Sequence, residues 1–100
     1  MKDGNAVIHQ ATRLEIMASL NRLGPDASLE FTRLKGIVET TDGNLGTHLE
    51  ALEKAGYVAL SKRFEGRKPQ TRVKITATGR QAFAEHVAYL RNIIDFGSEP

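Results

Sequence analysis

The chain has 100 residues, a formal net charge of +2 and no cysteine. This length suits one folded domain, because two separate cores would each be too small to be stable. The absence of cysteine excludes a disulfide framework, a thiol nucleophile and a cysteine-ligated metal. We find no long apolar run and no leader-like start, so we expect a cytoplasmic protein without a membrane span or signal peptide.

The first third of the chain is predicted to contain two helices. Residues Met1–Asn5 carry no pattern and are expected to fray. Apolar residues at helical spacing predict a first helix from about Ile8 to Leu23, which Gly24 and Pro25 end. A second, short helix is predicted over about Phe31–Val38. A stub of strand is expected before it, at Ser28–Leu29.

A third helix is predicted from about Asp42 to Ala55. Leu45, Leu49 and Leu52 occur at positions i, i+4 and i+7 and therefore form one buried stripe. Thr41 or Asp42 is expected to cap the start of this helix. Gly56 supplies the left-handed residue that commonly follows a helix.

The apolar period changes after the third helix. Residues alternate between apolar and polar over Tyr57–Arg63 and again over Thr71–Ile75, which predicts two strands. Gly66 and Pro69 mark a turn between them, so the segment is expected to be a β-hairpin. Thr76 is then expected to cap a final helix over about 77–96.

This order of elements predicts a mainly α-helical fold with a small β-hairpin. Two short helices joined by a tight turn and followed by a hairpin match the winged helix-turn-helix plan. We expect residues 8–76 to form the winged-helix core. Residues 77–96 would then add a long C-terminal helix.

Basic residues are concentrated in the predicted hairpin, where Glu65 is the one opposing charge. Such a cluster is typical of a surface that binds phosphates, although a solvated hairpin can also carry one. The cluster comprises Lys62, Arg63, Arg67, Lys68, Arg72 and Lys74.

Three blocks of sequence support the same interpretation. They are Ile8–Gln10 with Arg13–Met17; Thr41–Leu45 with His48–Leu49, Leu52–Glu53 and Ala55–Val58; and Gly66–Pro69 with Thr71, Thr76 and Gly79–Arg80. In this order and spacing they resemble small winged-helix regulators related to the MarR and ArsR proteins. The resemblance covers about Ile8 to Leu90. It implies that the third helix enters the major groove, that the hairpin, or wing, lies on the backbone or minor groove, and that the outer helices dimerise.

The candidate contacts with double-stranded DNA lie on the third helix and the wing. Asn44 is expected to pair with an adenine edge and Thr47 with a base or phosphate, unless Gly43 and Asn44 serve only the turn and the cap. Glu50 departs from the family pattern and would either accept from a cytosine amino group or repel phosphate. His48 is a phosphate contact or a packed helix residue. The full candidate set is Gly43, Asn44, Thr47, His48, Glu50 and Lys54 on the helix, Arg67 and Lys68 at the wing tip, and Arg63, Arg72 and Lys74 on the strands.

The last helix carries a second row of apolar residues that a small core cannot cover. Exposed rows of this kind are uncommon in monomers, so a symmetric partner is expected to bury them, unless one wide stripe packs within a single subunit. The predicted homodimer interface comprises Ile8, Tyr89, Ile93 and Phe96.

No constellation of catalytic residues is recognisable, so we expect a protein that is not an enzyme and needs no cofactor or metal. His9, His48 and His86 lie on different elements, and a zinc site using His9 and His86 remains only a minor alternative. The main alternative function is a winged helix used for protein contacts, which Glu50, Ala51 and Glu53 on the third helix favour. We assign no small-molecule effector.

Overall fold

The computed structural model describes residues 4–98. Within this range the chain forms, in order, α1 (Ala11–Asn21), β1 (Leu29–Glu30), α2 (Phe31–Ile37), α3 (Asp42–Lys54), β2 (Val58–Glu65), β3 (Lys68–Ile75) and α4 (Ala77–Ser98). This order confirms the predicted winged helix-turn-helix fold with a long C-terminal helix. None of the helices along residues 4–98 combines the length and the apolar character that a membrane span requires.

The three strands form one antiparallel sheet with the order β1-β3-β2. β1 pairs with the base of β3, where Leu29 lies opposite Val73. β2 pairs with β3 along its whole length, from Val58 opposite Ile75 to Glu65 opposite Lys68. The outer half of the β2–β3 hairpin therefore extends beyond the sheet as a two-stranded wing, in which residues 61–69 are all exposed.

The wing turns on two residues, Gly66 and Arg67. Gly66 has a φ of 63° and Arg67 does not have a positive φ, which is the pattern of a type II′ hairpin turn. The sequence-based expectation that Pro69 belongs to the turn is wrong, because Pro69 lies in β3 opposite Phe64. Since Glu65 and Lys68 flank the turn as a hydrogen-bonded pair, Phe64 and Pro69 form the next, non-hydrogen-bonded pair. Proline is tolerated there because its missing N–H breaks no bond to β2.

The core is built where the helices cover the inner face of the sheet. The predicted leucine stripe of α3 is buried and packs with apolar residues of α1, α2 and both hairpin strands. The buried residues of this core cluster include Ile16, Met17, Leu20, Leu34, Leu45, Leu49, Leu52, Val58, Val73 and Ile75. Ile8 belongs to the same cluster and is 0% exposed. The expectation that Ile8 contributes to a dimer interface is therefore wrong, because its side chain is already enclosed within its own chain.

The predicted helix signals act as expected. The Thr41 hydroxyl accepts a hydrogen bond from the Asn44 backbone N–H at 3.1 Å and so caps α3. Gly56 follows that helix with a φ of 82°. The Thr76 hydroxyl accepts from the Gly79 N–H at 2.9 Å and donates to the Gly56 carbonyl at 2.6 Å. One side chain therefore caps α4 and fixes its start against the end of α3.

Arg80 joins α4 to the end of α1. Its guanidinium donates to the carbonyl oxygens of Asn21 at 2.9 Å, Leu23 at 3.0 Å and Gly24 at 3.2 Å. The Asn21 carbonyl is among those that the end of α1 leaves without an intrahelical partner, and Leu23 and Gly24 belong to the loop that follows the helix. Arg80 therefore has a structural role in holding α4 against the end of α1 and the loop after it.

The segment before α1 is ordered from its first described residues. Asn5 donates through its backbone N–H to Nδ1 of His86 at 3.0 Å and through its side chain to the Tyr57 hydroxyl at 2.8 Å. Its carboxamide oxygen accepts from the N–H groups of Val7 and Ile8. The expectation that Asn5 frays is therefore wrong, whereas Met1–Asp3 lie outside the described residues.

Gly79 marks the closest approach of α4 to the hairpin. A Cβ at this position would overlap the Tyr57 carbonyl oxygen and would lie 3.0 Å from Cγ1 of Ile75. We expect Gly79→Ala to lower the free energy of unfolding by about 2 kcal/mol, because overpacking against backbone outweighs the gain of about 1 kcal/mol in helix propensity. Urea unfolding followed by circular dichroism measures the change.

Gly46→Ala is the matched control for this prediction. Gly46 lies inside α3, and a Cβ there would meet nothing within 4 Å. The same substitution should therefore stabilise the protein by up to about 1 kcal/mol. Equal stability of Gly79→Ala and the parent would show that the contact with Tyr57 is not a tight one.

Candidate nucleic-acid interface

The first half of α3 presents small polar residues to solvent. Gly43, Asn44 and Thr47 are all exposed. Because Thr41 caps the helix, the Asn44 side chain is not needed for that purpose, and Asn44 is exposed to solvent. This arrangement leaves a surface of small polar side chains at the N-terminus of α3, where backbone N–H groups and the helix dipole favour the binding of phosphate.

Thr47 is positioned by its own helix. Its hydroxyl donates to the Gly43 carbonyl at 3.0 Å, so the hydroxyl hydrogen is already used. A phosphate oxygen only accepts hydrogen bonds and therefore competes with this internal contact. In this rotamer Thr47 can accept from a base amino group or place its methyl group against a thymine methyl.

His48 lies on the inner flank of α3 and is half-buried. Its Nδ1 accepts a hydrogen bond from Nε of Arg13 at 3.1 Å, which links α3 to α1. Burial, and secondarily the Arg13 charge, lower the pKa of His48 and keep its ring neutral. One nitrogen is thus committed to packing, and only Nε2 is left for a phosphate.

The second half of α3 is acidic and borders a groove toward the wing. Glu50 and Lys54 are both exposed, as predicted. Glu50 and Glu53 line one side of a groove of about 320 Å³, and Lys62 lines the opposite side; the other lining residues are Phe31, Gly46, Leu49, Leu60 and Thr71. Positive charge for phosphate binding is therefore supplied by the wing more than by the helix.

The wing divides its basic residues between two faces and a tip. Cross-strand pairs share a face, and the pairs alternate along the hairpin. Arg63 and Lys68 belong to the outer face, Lys62 belongs to the face that lines the groove, and Arg67 occupies the turn itself. All four side chains are exposed. The structure thus brings Arg63, Arg67 and Lys68 together at the end of the wing.

Arg72 and Lys74 differ from the other predicted wing cations because they have partners within the chain. Nε of Arg72 donates to the Ser28 hydroxyl and its Nη2 donates to the Ser28 carbonyl, both at 2.8 Å. Nζ of Lys74 lies 2.8 Å from the Asp26 carboxylate, and this hydrogen bond lowers the pKa of Asp26. Both residues fasten the loop before β1 to the base of the hairpin.

Phe64 is a candidate contact that the sequence analysis missed. Its side chain is 74% exposed near the wing tip, on the same strand face as Leu60 and Lys62. The signal was present in the sequence, because Phe64 continues the alternation of Val58 and Leu60 past the point where the core ends.

The end of α4 carries exposed apolar side chains, as the second apolar row predicted. Ile93 is 41% exposed and Phe96 is 72% exposed. Tyr89 is instead half-buried, because its ring stacks on His86 with centroids 5.7 Å apart and lies against Gly4. The predicted interface is therefore concentrated at the last turns of α4.

Two of the three histidines meet near that helix. The rings of His9 and His86 contact edge to face with centroids 5.4 Å apart. His86 is buried, its Nδ1 accepts from Asn5, and burial together with the His9 charge lowers its pKa. Across residues 4–98 there is no third histidine, cysteine or carboxylate that joins them in a group able to hold a metal.

Comparison with known proteins places this geometry in a family. A family model described as a winged helix DNA-binding domain matches residues 12–94. An uncharacterized protein of Methanocaldococcus jannaschii is 36% identical over 81 residues, which are 81% of this chain and 85% of that protein.

Solved structures of other proteins have the same fold. A transcriptional regulator homologue from Pyrococcus horikoshii superposes with a TM-score of 0.83 at 29% identity, covering 93% of this chain and 89% of that one. A MarR family transcriptional regulator from Silicibacter pomeroyi shares the fold, with a TM-score of 0.60 at 19% identity over 83% of this chain and 55% of that one. The small polar surface of α3 and the basic wing are in keeping with the family match: this chain belongs to the winged helix DNA-binding domain family.

Proposed function

We propose that the protein is a transcription regulator that binds double-stranded DNA sequence-specifically and acts as a homodimer in the cytoplasm, without enzymatic activity. In this proposal residues 8–76 form the DNA-binding part and residues 77–96 add the dimerisation helix to a single domain. The observation that supports it is that an exposed surface of small polar side chains on α3 occurs together with a wing whose tip is basic.

Base recognition is assigned to α3 in the major groove. Gly43 allows close approach of the helix backbone, and Asn44 has a free-standing carboxamide that suits the donor and acceptor of an adenine edge. Thr47, with its hydroxyl hydrogen held by Gly43, offers an acceptor and a methyl group to neighbouring bases. Glu50 accepts from a cytosine amino group or opposes phosphate, which restricts binding to suitable sequences.

Affinity is assigned mainly to the wing. Arg67 at the turn is suited to the minor groove, where a narrow groove concentrates negative potential. Arg63 and Lys68 are placed to bind the flanking phosphates. Arg72 and Lys74 contribute positive potential while they hold the loop before β1, so their phosphate contacts require an exchange of partners.

Dimerisation is assigned to the end of α4. Ile93 and Phe96 are exposed in the single chain, and a twofold-related copy of the same helix would bury both. Two recognition helices related by a twofold axis suit a palindromic operator with two half-sites.

The salt dependence of binding tests this proposal. Duplexes are first selected by the protein from a random DNA pool, and affinity is then measured between 50 and 200 mM salt. Two wings should neutralise about six to ten phosphates, which gives a slope of about −5 to −9 in a plot of log K against log salt. A flat titration, or no binding to any duplex at about 50 mM salt, would contradict the proposal.

The groove between α3 and the wing supports a second candidate, a module for protein contacts. Its floor contains Leu49 and Leu60, and its rim carries Glu50 and Glu53. Such a groove suits a partner segment with apolar and basic side chains. The salt titration distinguishes the two candidates, because a module that makes only protein contacts should not bind the selected duplexes.

A further inference from the structure

Phe64 occupies an unusual position for an aromatic side chain. It is 74% exposed, and it lies beyond the part of β2 that faces the core. Its cross-strand neighbour is Pro69, and only Glu65 separates it from the turn. Because Phe64 and Pro69 form the non-hydrogen-bonded pair, their side chains stand close together on one face of the wing. The wing tip therefore presents two adjacent apolar side chains on one face.

Cations lie close to this apolar pair: Lys62 shares its face of the hairpin, whereas Arg63 and Lys68 belong to the opposite face. Arg63 precedes Phe64 in β2, Lys68 precedes Pro69 in β3, and Arg67 occupies the turn. This charge pattern favours a polyanion over a second copy of the wing, since two wing tips in contact would repel each other. An apolar side chain with cations at neighbouring positions of the wing tip is suited to a surface that is charged at its rim and apolar inside, as base pairs are between two phosphate backbones.

We infer that Phe64 is a wedge that enters the minor groove of bound DNA, partially unstacks a base step and bends the duplex. Minor-groove proteins use phenylalanine, leucine or proline in this way, and the resulting kinks are directed toward the major groove. The wedge would also give indirect sequence preference, because flexible pyrimidine–purine steps unstack most easily. This inference rests on the proposed DNA binding and adds a mechanism to it.

The test uses the intact protein and a duplex that the parent itself selects from a random pool. The duplex carries donor and acceptor fluorophores at its ends to report bending, and 2-aminopurine at successive steps to report unstacking. The parent should bend the duplex by about 20° or more and raise 2-aminopurine fluorescence at one step in each half-site. Phe64→Ala should remove both signals and weaken binding about tenfold.

Two further variants separate a wedge from a general loss of affinity. Phe64→Leu keeps an apolar wedge and should retain most of the bend. Arg67→Ala should lower the steepness of the salt slope by about two for a dimer while the bend persists, whereas Phe64→Ala should leave the slope unchanged. Because Phe64 is exposed, unfolding curves of its variants should match the parent.

Each remaining outcome counts against the wedge. A parent that binds its selected duplex without bending it, or a Phe64→Ala variant that bends it equally, overturns the inference and leaves the proposed DNA binding intact. Loss of self-association in Phe64→Ala would show that the residue contacts protein instead. If the parent binds no duplex at all, the proposed function fails, and the wedge fails with it.

Discussion

Ile93→Lys is expected to convert a dimer into a monomer and to lower affinity for the selected operator by at least about 100-fold. Ile93 is 41% exposed in the single chain and lies in the last turns of α4, where Phe96 is also exposed. A lysine there would place a charge inside an apolar contact between two copies, which is unfavourable without a counter-ion. Operator affinity should fall with the dimer, because two linked half-site contacts typically bind more tightly than one by a factor of about 10²–10⁴.

Sedimentation velocity at tens of micromolar protein measures the first effect, and a fluorescence anisotropy titration measures the second. Asn92→Lys is the matched control, since it adds the same charge at an adjacent exposed position without removing an apolar side chain. The control should remain a dimer. A parent that is already monomeric at this concentration, or an Ile93→Lys variant that still sediments as a dimer, contradicts the assignment of α4.

The fold was predictable where local chemistry and tertiary packing agree. The leucine stripe of α3, its Thr41 cap and Gly56 specify the same helix at three independent levels, and the structure confirms all three. Thr76 is equally informative because a capping hydroxyl has few other uses just before an apolar helical pattern. Such consistency between levels is what makes a segment predictable from sequence.

The errors arose where a residue's role depends on distant partners. Pro69 is a common turn residue, and only the register set by the Gly66–Arg67 turn places it in a strand. The first helix was predicted to begin at about Ile8, but α1 begins at Ala11, so the helical pattern did not indicate where the Ile8 side chain lies. Asn5 is ordered by His86 and Tyr57, which are 81 and 52 residues away in the sequence. Contacts of this separation leave no local pattern.

The candidate site shows the same division. The exposure of Asn44 and Thr47 follows directly from their positions opposite the leucine stripe. The internal partners of Arg72 and Lys74 do not, because a basic residue on a strand carries no sign of whether its neighbour is a phosphate or the Ser28 carbonyl. Charge counting therefore identified the basic wing but could not show that Arg72 and Lys74 have partners within the chain.

Asn44→Ala is expected to reduce preference for one base pair in each half-site and to leave the salt slope nearly unchanged. A bidentate contact with an adenine edge typically contributes about 1–3 kcal/mol of discrimination, which is about 5- to 150-fold in affinity. The structure makes this variant a clean probe, because Thr41 and not Asn44 caps α3, so the helix should keep its stability. The measurement compares affinity for the selected operator with affinity for operators changed at single positions.

Arg67→Ala is the contrasting variant for this last prediction. Arg67 lies at the wing tip, where the minor groove offers a largely degenerate base pattern, so its loss should weaken all duplexes by similar factors and make the salt slope shallower. Asn44→Ala should instead lower operator affinity more than affinity for a scrambled duplex. If Asn44→Ala weakens both duplexes equally, Asn44 contacts phosphate and base recognition belongs to other residues of α3. Glu50→Ala provides the complementary result: should it strengthen binding to scrambled DNA more than to the operator, the carboxylate of Glu50 acts by repelling phosphate at incorrect sites.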